Sequence, residues 1–514
     1  MTSTTDISCL PPEILRLCWS YITDREDVCS LVLVSRQFRE MCQPMLFRSF
    51  TVDLGYPAVQ GDGEEKRGIL QRKLVRLQGL QKDARLGKMV RQCYFSAREG
   101  HLYTHLEVIQ IWVTLLPTFA GLTSLTLDRL SLDGVVCRHL STLVHLSFLS
   151  INGCAIDDRD GVTLPLQRFD YSNAFDAFIC RDGPLLVSPE TLCILNIHDM
   201  LASDMFIEHF SGVDLPLLRE ITVNVKGGDF RGLFRLLQRS PMLQALTIIC
   251  DAESDPEILP NSLPSGCVSE LSHYEGPICL VSLLAPGRPL QSINIRPTLF
   301  YDSTHWDCAL LQALTSVRLS SISLESLKLP PVTDESKVVS KLSELLPRLK
   351  HLAIVAFDCY YQQVRPDGQL DQDEQGEVDG MPDDDLQIVW PLLEVYGPAN
   401  LADEELNESL YLFDCVEAFR LTEPHVVRFL NSSHEKSSIH AYMQFWTLSF
   451  ARGTFPLPDG LETLSVFTRT CAQGSEQAGV GPGLFKYEEI AVALLCKKHP
   501  GLQVEIRVER GYIV

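Results

Sequence analysis

The residues in this chain that could do chemistry are few, and their spacing fits no known catalytic arrangement. His101 and His105, in "HLYTH", stand four apart, as two metal ligands on one helix face would. A zinc peptidase built on that spacing needs a glutamate directly after the first histidine, and here Leu102 stands there. The run "GVGPG", Gly479 to Gly483, alternates glycine like a phosphate-cradling loop, but no lysine accompanies it and Pro482 would interrupt a following helix. There is no G-x-S-x-G nucleophile elbow. The acidic run "PDGQLDQDEQGEVDGMPDDD", Pro366 to Asp385, does not meet the Ca²⁺-loop pattern of glycine at the sixth position together with glutamate at the twelfth. Seventeen cysteines lie at irregular intervals without a C-x-x-C pair and read as small core hydrophobes. The expectation is a protein with no catalytic centre, cofactor or metal site of its own.

Composition limits the alternatives further. With 514 residues, 45% hydrophobic and 21% charged, the chain has the make-up of a soluble globular protein with a sizeable core. The opening "MTSTTDISCL" has no basic stretch before an apolar run, and no segment of about 18 uninterrupted apolar residues follows, so neither secretion nor a membrane partner is expected. A cytoplasmic or nuclear address suits reduced thiols and leaves the glycosylation patterns at Asn407 and Asn431 without meaning. The net charge of −22 is unevenly placed: residues 1–100 carry 15 Lys+Arg against 12 Asp+Glu (+3), the remainder 29 against 54 (−25). An acidic body repels phosphates, which argues against a nucleic-acid partner.

Positioning falls to one returning phrase: an aliphatic residue, two others, an aliphatic or aromatic, one other, an aliphatic. It is clear at Leu122, Leu146, Leu192, Leu218, Leu243, Leu290, Leu324, Leu349 and Leu461, and weaker at Val90, Leu166, Val268 and Val416. From Leu122 to Val268 the steps are 24, 20, 26, 26, 25 and 25 residues, the period of leucine-rich repeats. Physically this reads as a short strand with alternate residues inward, then a return segment covering the same core. "RGLFRLLQRSP" and "SKVVSKLSELLP" have helical apolar spacing and stop near a proline. The fuller pattern L-x-x-L-x-L-x-x-N/C-x-L is met closely once, by Leu146, Leu149, Ile151, Cys154 and Ile156. Pro366 to Asp385 holds nine acids and no Lys or Arg, and reads as a disordered insert at about 366–385. "LQVEIRV", Leu502 to Val508, reads as a last strand or a cap. Residues 64–92 read as a basic helix with Ile69, Leu70, Leu74, Leu77 and Leu80 along one face.

Three helices can be read in the first fifty residues. The first opens at Pro11-Pro12 and carries Ile14, Leu15, Cys18, Trp19 and Ile22 on its apolar side. Thr23 to Glu26 fits a capping box for the second, with Val28, Leu31, Val32 and Val34. Ser35 can cap the third, with Phe38, Met41, Leu46 and Phe47. So small a unit cannot bury all these side chains alone.

The stretch "LPPEILRLCWSYITDREDVCSLVLVSRQFREMCQPMLFRSF" resembles the F-box, in Leu10-Pro11, Glu13-Ile14-Leu15, Asp27-Val28, Leu31, Leu33-Val34 and the aromatic Phe38. Two departures are Phe38 where tryptophan is more usual, and one extra residue around Thr23 to Glu26. Followed by leucine-rich repeats, the chain is similar to fungal F-box proteins of that architecture. The resemblance implies an α/β fold: an F-box over residues 8–50, a linker and basic helical segment over 51–89, and an irregular leucine-rich-repeat solenoid, a β/α horseshoe, over 90–514. It implies a non-catalytic substrate receptor of a Skp-cullin-F-box ubiquitin ligase, binding a Skp-family adaptor, through it a cullin, and a protein substrate whose identity the sequence does not disclose. Leu10, Pro11, Ile14, Leu15, Leu31, Val34 and Phe38 are then the adaptor interface or its support. A non-enzymatic repeat scaffold or regulator outside an active ligase is the alternative.

Overall fold

The computed structural model describes residues 10–22, 24–54, 63–97, 102–157, 162–172, 186–226, 230–251, 263–264, 266–296, 303–320, 323–330, 337–358, 450, 455–471, 492–493 and 495–511. The fold is α/β with a long parallel sheet, and the chain divides into two compact units, within residues 1–327 and 328–513.

The first unit opens with α1 (Pro12–Ser20), α2 (Arg25–Val34) and α3 (Arg36–Phe47). Pro11 precedes α1 and places Pro12 at its first position, where the missing N–H is no loss. Asp24 caps α2 by accepting Glu26 N–H at 2.9 Å, so the cap falls one residue later than the capping box read from Thr23, which lies outside the described residues. A carboxylate is the stronger acceptor at a positive helix start. Ser35 caps α3 as expected, taking Phe38 N–H at 3.1 Å. Leu15, Trp19, Val28, Met41 and Cys42 form the core of this bundle, with Ile22, Leu31, Val32, Phe38, Met45 and Leu46 packed against it.

Arg48 alone separates α3 from β1 (Ser49–Asp53), the first strand of the sheet. The sheet therefore begins in the last two residues expected to belong to the F-box and continues into the segment expected to be a linker. After β1 come α4 (Gly63–Lys82) and α5 (Ala84–Met89), where the basic segment was expected to be helical, parted at Asp83, whose carboxylate caps α5 on Arg85 N–H at 3.0 Å. Leu77 and Leu80 are buried and Leu74 half-buried; the side chains of Ile69 and Leu70 are outside the described residues. Next are β2 (Gln92–Ser96), α6 (Leu102–Leu115), β3 (Ser124–Asp128), the short β4 (Ser131–Asp133), α7 (Gly134–Ser141), β5 (Phe148–Asn152), the short β6 (Ala155–Asp157) and β7 (Arg168–Ser172). The unit continues through β8 (Ile194–Ile197), α8 (Met200–Phe210), β9 (Glu220–Lys226), α9 (Arg231–Gln238), β10 (Ala245–Asp251), β11 (His273–Pro277), α10 (Val281–Leu284), β12 (Ser292–Arg296) and α11 (Ser303–Ser320). From β1 to β12, leaving out β4 and β6, the strands pair parallel in chain order. β4 and β6 pair with each other.

The phrase is the reason. Its three apolar positions are buried at β3, β5 and β9: Leu122, Leu125 and Leu127; Leu146, Leu149 and Ile151; Leu218, Ile221 and Val223. Burying each such side chain contributes roughly 1.5–3 kcal/mol, so one strand with a partner on either side is held chiefly by its inward residues. The backbone repeats with them. The residue after the first apolar position turns its carbonyl to two amides of the next strand: Thr123 to Ser147 and Phe148, Gln167 to Cys193 and Ile194, Arg219 to Gln244 and Ala245.

That hydrogen bond corrects one register. Val268 was expected to open a phrase, but the two-amide carbonyl before β12 belongs to Ser272 and the inward partner of Leu246 is Tyr274, so the phrase opens at Leu271. The steps around it are 28 and 19 residues rather than 25 and 22. The third position is Gly276, which hides the phrase from an aliphatic pattern. Tyr274 bends over it, donating its hydroxyl to the Pro277 carbonyl at 2.7 Å. A Cβ on Gly276 would stand 2.7 Å from the Tyr274 hydroxyl and 3.1 Å from Ile248 Cβ.

At the single close match to the fuller pattern, buried Cys154 holds the turn. Its sulfur accepts Leu130 N–H at 3.3 Å and its thiol donates to the Asn152 carbonyl at 3.4 Å. Burial pushes that thiol up to about 12, so it stays protonated and can donate.

β13 (Ser326–Leu329) lies at the sequence boundary of the two units. The second unit has α12 (Lys337–Leu345), then β14 (His351–Asp358), β15 (Thr463–Cys471) and β16 (Gln503–Gly511), all parallel. Thus "LQVEIRV" contributes a strand, and the phrases at Leu349 and Leu461 precede strands as expected. The phrase at Val416 and the acidic run from Pro366 to Asp385 fall outside the described residues.

Candidate docking surface

Helical geometry divides α1 into two faces. Leu15, Trp19 and Ile22 turn into the bundle, where Phe38 of α3 meets the Trp19 ring edge-on with centroids 4.6 Å apart. Leu10, Ile14, Leu17 and Tyr21, spaced four, three and four apart, stand on the other side. Leu33 and Val34 at the end of α2 are also in water; the six side chains are between 43% and 79% exposed. Apolar groups at this density on so small a unit are a candidate partner surface rather than the scattered exposure normal for soluble proteins.

The seven residues singled out from the sequence separate accordingly. Leu10, Pro11, Ile14 and Val34 are exposed, whereas Leu15 is buried and Leu31 and Phe38 pack against the core. The last three position the surface without forming it. Cys18, expected inside, is exposed. Leu17, Tyr21 and Leu33 were missed; the signal for the first two was the 10-14-17-21 spacing, which the eye gives up in favour of the denser 14-15-18-19-22 face. Charges on the unit are thinly paired: Arg36 and Glu40 meet at 3.0 Å in full solvent, which contributes little.

The surface is held firmly to the sheet. The Arg48 carbonyl accepts N–H groups of Arg91 at 2.8 Å and Gln92 at 2.9 Å, tying the end of α3 to the start of β2. Lys73 of α4, half-buried, has its ammonium pKa lowered by burial, with Asp53 acting in the opposite direction.

A second surface is the outward face of the sheet. Between the buried positions the strands present Tyr94, Thr126, Ser150, Asp170, Asn196, Thr222, Thr247 and Glu275, which align across neighbouring strands in one row. Asp128, Asn152 and Asn224 lie two residues further along their strands. Asp170 accepts from Arg168 at 2.8 Å and from the Asn196 amide at 2.7 Å. Asp128 accepts from the Ser96 hydroxyl at 2.7 Å, and Glu275 from Arg296 at 2.7 Å.

His101 and the run from Gly479 to Gly483 lie outside the described residues. Among the described residues, no group of three or more His, Cys, Asp or Glu could hold a metal ion, and no helix is long and apolar enough to cross a membrane. A scan against protein-family models and a search of curated proteins each gave no match.

Proposed function

We propose that this chain is the substrate-receptor subunit of a Skp-cullin-F-box ubiquitin ligase. In this reading α1 to α3 are an F-box that docks on a Skp-family adaptor, and the strand phrases are leucine-rich repeats of an irregular β/α horseshoe that holds a protein substrate. The observation that carries it is the exposed apolar side chains of Leu10, Ile14, Leu17 and Tyr21 along α1 and its ends, together with Leu33 and Val34 at the end of α2. Hiding a fully exposed aliphatic side chain yields roughly 1.5–3 kcal/mol, so six partly exposed ones offer on the order of 5–10 kcal/mol. That is comparable with the freedom lost on association, about 4–15 kcal/mol, so docking needs most of the stripe. The short, hydrogen-bonded junction at Arg48 supports the same reading, because a receptor must hold its substrate in a defined place relative to its adaptor.

The test is co-purification of the full chain with a Skp-family adaptor, beside the double variant Ile14→Lys/Leu17→Lys. Both side chains are exposed, so the variant should fold like the parent and lose the adaptor. Retention of the adaptor by the variant, or no adaptor bound to the folded parent, would overturn the reading. Adaptor binding without cullin-dependent turnover of a bound protein would leave the scaffold role in its place.

A further inference from the structure

We propose that the cationic surface where β1 and β2 begin, formed by Arg48, Arg76, Lys88 and Arg91, docks a carboxylate-rich segment of a partner protein. It shares no residue with the apolar surface of α1 and α2 and does not depend on what that surface binds.

The fold brings these cations together. Arg48 and Arg91 stand one residue before the paired Ser49 and Gln92, and the Arg48 carbonyl accepts Arg91 N–H at 2.8 Å. Their Cα atoms are therefore about one strand spacing apart, roughly 4.8 Å. The Arg91 guanidinium reaches back to Lys88, donating through Nη1 to its carbonyl at 2.8 Å, in room that Gly121 leaves open: a Cβ there would overlap it. Arg76 of α4 lies over the ring of Phe50, two residues beyond Arg48, at 5.8 Å from the ring centre.

Their charge is also unspent. All four side chains are exposed, and none forms an ion pair among the described residues. The carboxylates described from α3 to β2 are Glu40, Asp53 and Asp83, and each already faces another cation: Arg36, Lys73 and Arg85. Arg91 keeps Nε and Nη2 for a ligand, the fork that fits a carboxylate.

The nature of the partner follows from the rest of the chain. Residues 1–100 carry +3 and the remainder −25. A long polyphosphate is repelled by that acidic remainder, whereas a short run of Asp and Glu meets the cations alone. One exposed ion pair contributes little, so docking requires several acids to engage several of these cations at once.

The probe is a fluorescently labelled, unstructured peptide of about twelve residues in which glutamate alternates with glycine, titrated with the full chain by anisotropy at about 0.1 M salt. A single-stranded oligonucleotide of equal charge is titrated beside it. The peptide should bind, and Arg48→Gln/Lys88→Gln should weaken it about tenfold. Neither side chain has a hydrogen-bond or ion-pair partner among the described residues, so that variant should melt like the parent. Arg235→Gln/Arg318→Gln removes the same charge from exposed positions on α9 and α11 and should leave binding unchanged. Equal losses in the two variants would reduce the interaction to net charge and overturn the proposal. So would no binding of the peptide to the parent chain, or tighter binding of the oligonucleotide than of the peptide. The adaptor is absent from the titration, so failure here leaves the receptor reading standing and failure there leaves this one.

Discussion

In the three-helix unit Leu15, Trp19, Val28, Met41 and Cys42 are buried, while six apolar side chains on and flanking α1 and at the end of α2 stand in water. In β3 to β10 the first two inward positions of each strand are buried, and the outward positions are mostly polar and half-exposed. Both regions are built from leucine, isoleucine and valine at regular spacing. A strand is covered on each side by its neighbours, so the sheet disposes of its apolar residues internally and leaves a hydrogen-bonding face. Three short helices cover less of one another, and part of their apolar surface stays in water. One region hides its apolar residues almost completely, and the other does not.

The sharpest way to break this comparison is Trp19→Ala. It empties the middle of a five-residue core and the edge-on contact with Phe38, and should cost about 3–5 kcal/mol. Hydrogen exchange should then show Pro12 to Phe47 losing protection while β3 to β10 keep theirs. Loss of protection in both would mean that the helical core and the sheet are one cooperative body.

Cys154→Ala makes a smaller change on the sheet side. It strands the buried Leu130 N–H, at about 1–3 kcal/mol, measurable as a shift in the denaturant midpoint. Recovery with Cys154→Asn would identify the lost acceptor as the cause; equal loss with both would point to packing instead.

The smallest effect concerns the junction between the two regions. Asp83 caps α5, and its carboxyl is held below its usual range by hydrogen bonds from the Arg85 side chain and backbone. A folded pKa below the unfolded one means the cap's contribution is present above the unfolded carboxylate range and is lost as pH falls through the folded pKa. Both side chains are solvent-screened, so the loss should be slight and confined to acid pH, seen in Asp83 and Arg85 resonances rather than in the melting of the sheet. A change in those resonances near neutral pH would contradict it.

Much of the sheet was legible beforehand, because the phrase puts three residues on one side of a strand whatever surrounds it. Leu125 and Leu127, or Leu246 and Ile248, need no tertiary context to share a face. Two elements escaped. β1 begins one residue after a helix, with Phe50 and Val52 inward, in a stretch read as the end of the F-box and the start of a linker. β11 has Tyr274 doing the filling for Gly276, which no aliphatic pattern anticipates.

Period and side-chain type alone therefore settled that the chain alternates parallel strands with return segments and opens with three helices. Which face of α1 is buried was a tertiary decision. Ile14 and Leu15 are equally apolar neighbours, and only the positions of Val28, Phe38, Met41 and Cys42 send Leu15 inward and leave Ile14 to water. Burial depends on the atoms that arrive from elsewhere in the chain, and spacing along a helix records only which residues will share the outcome.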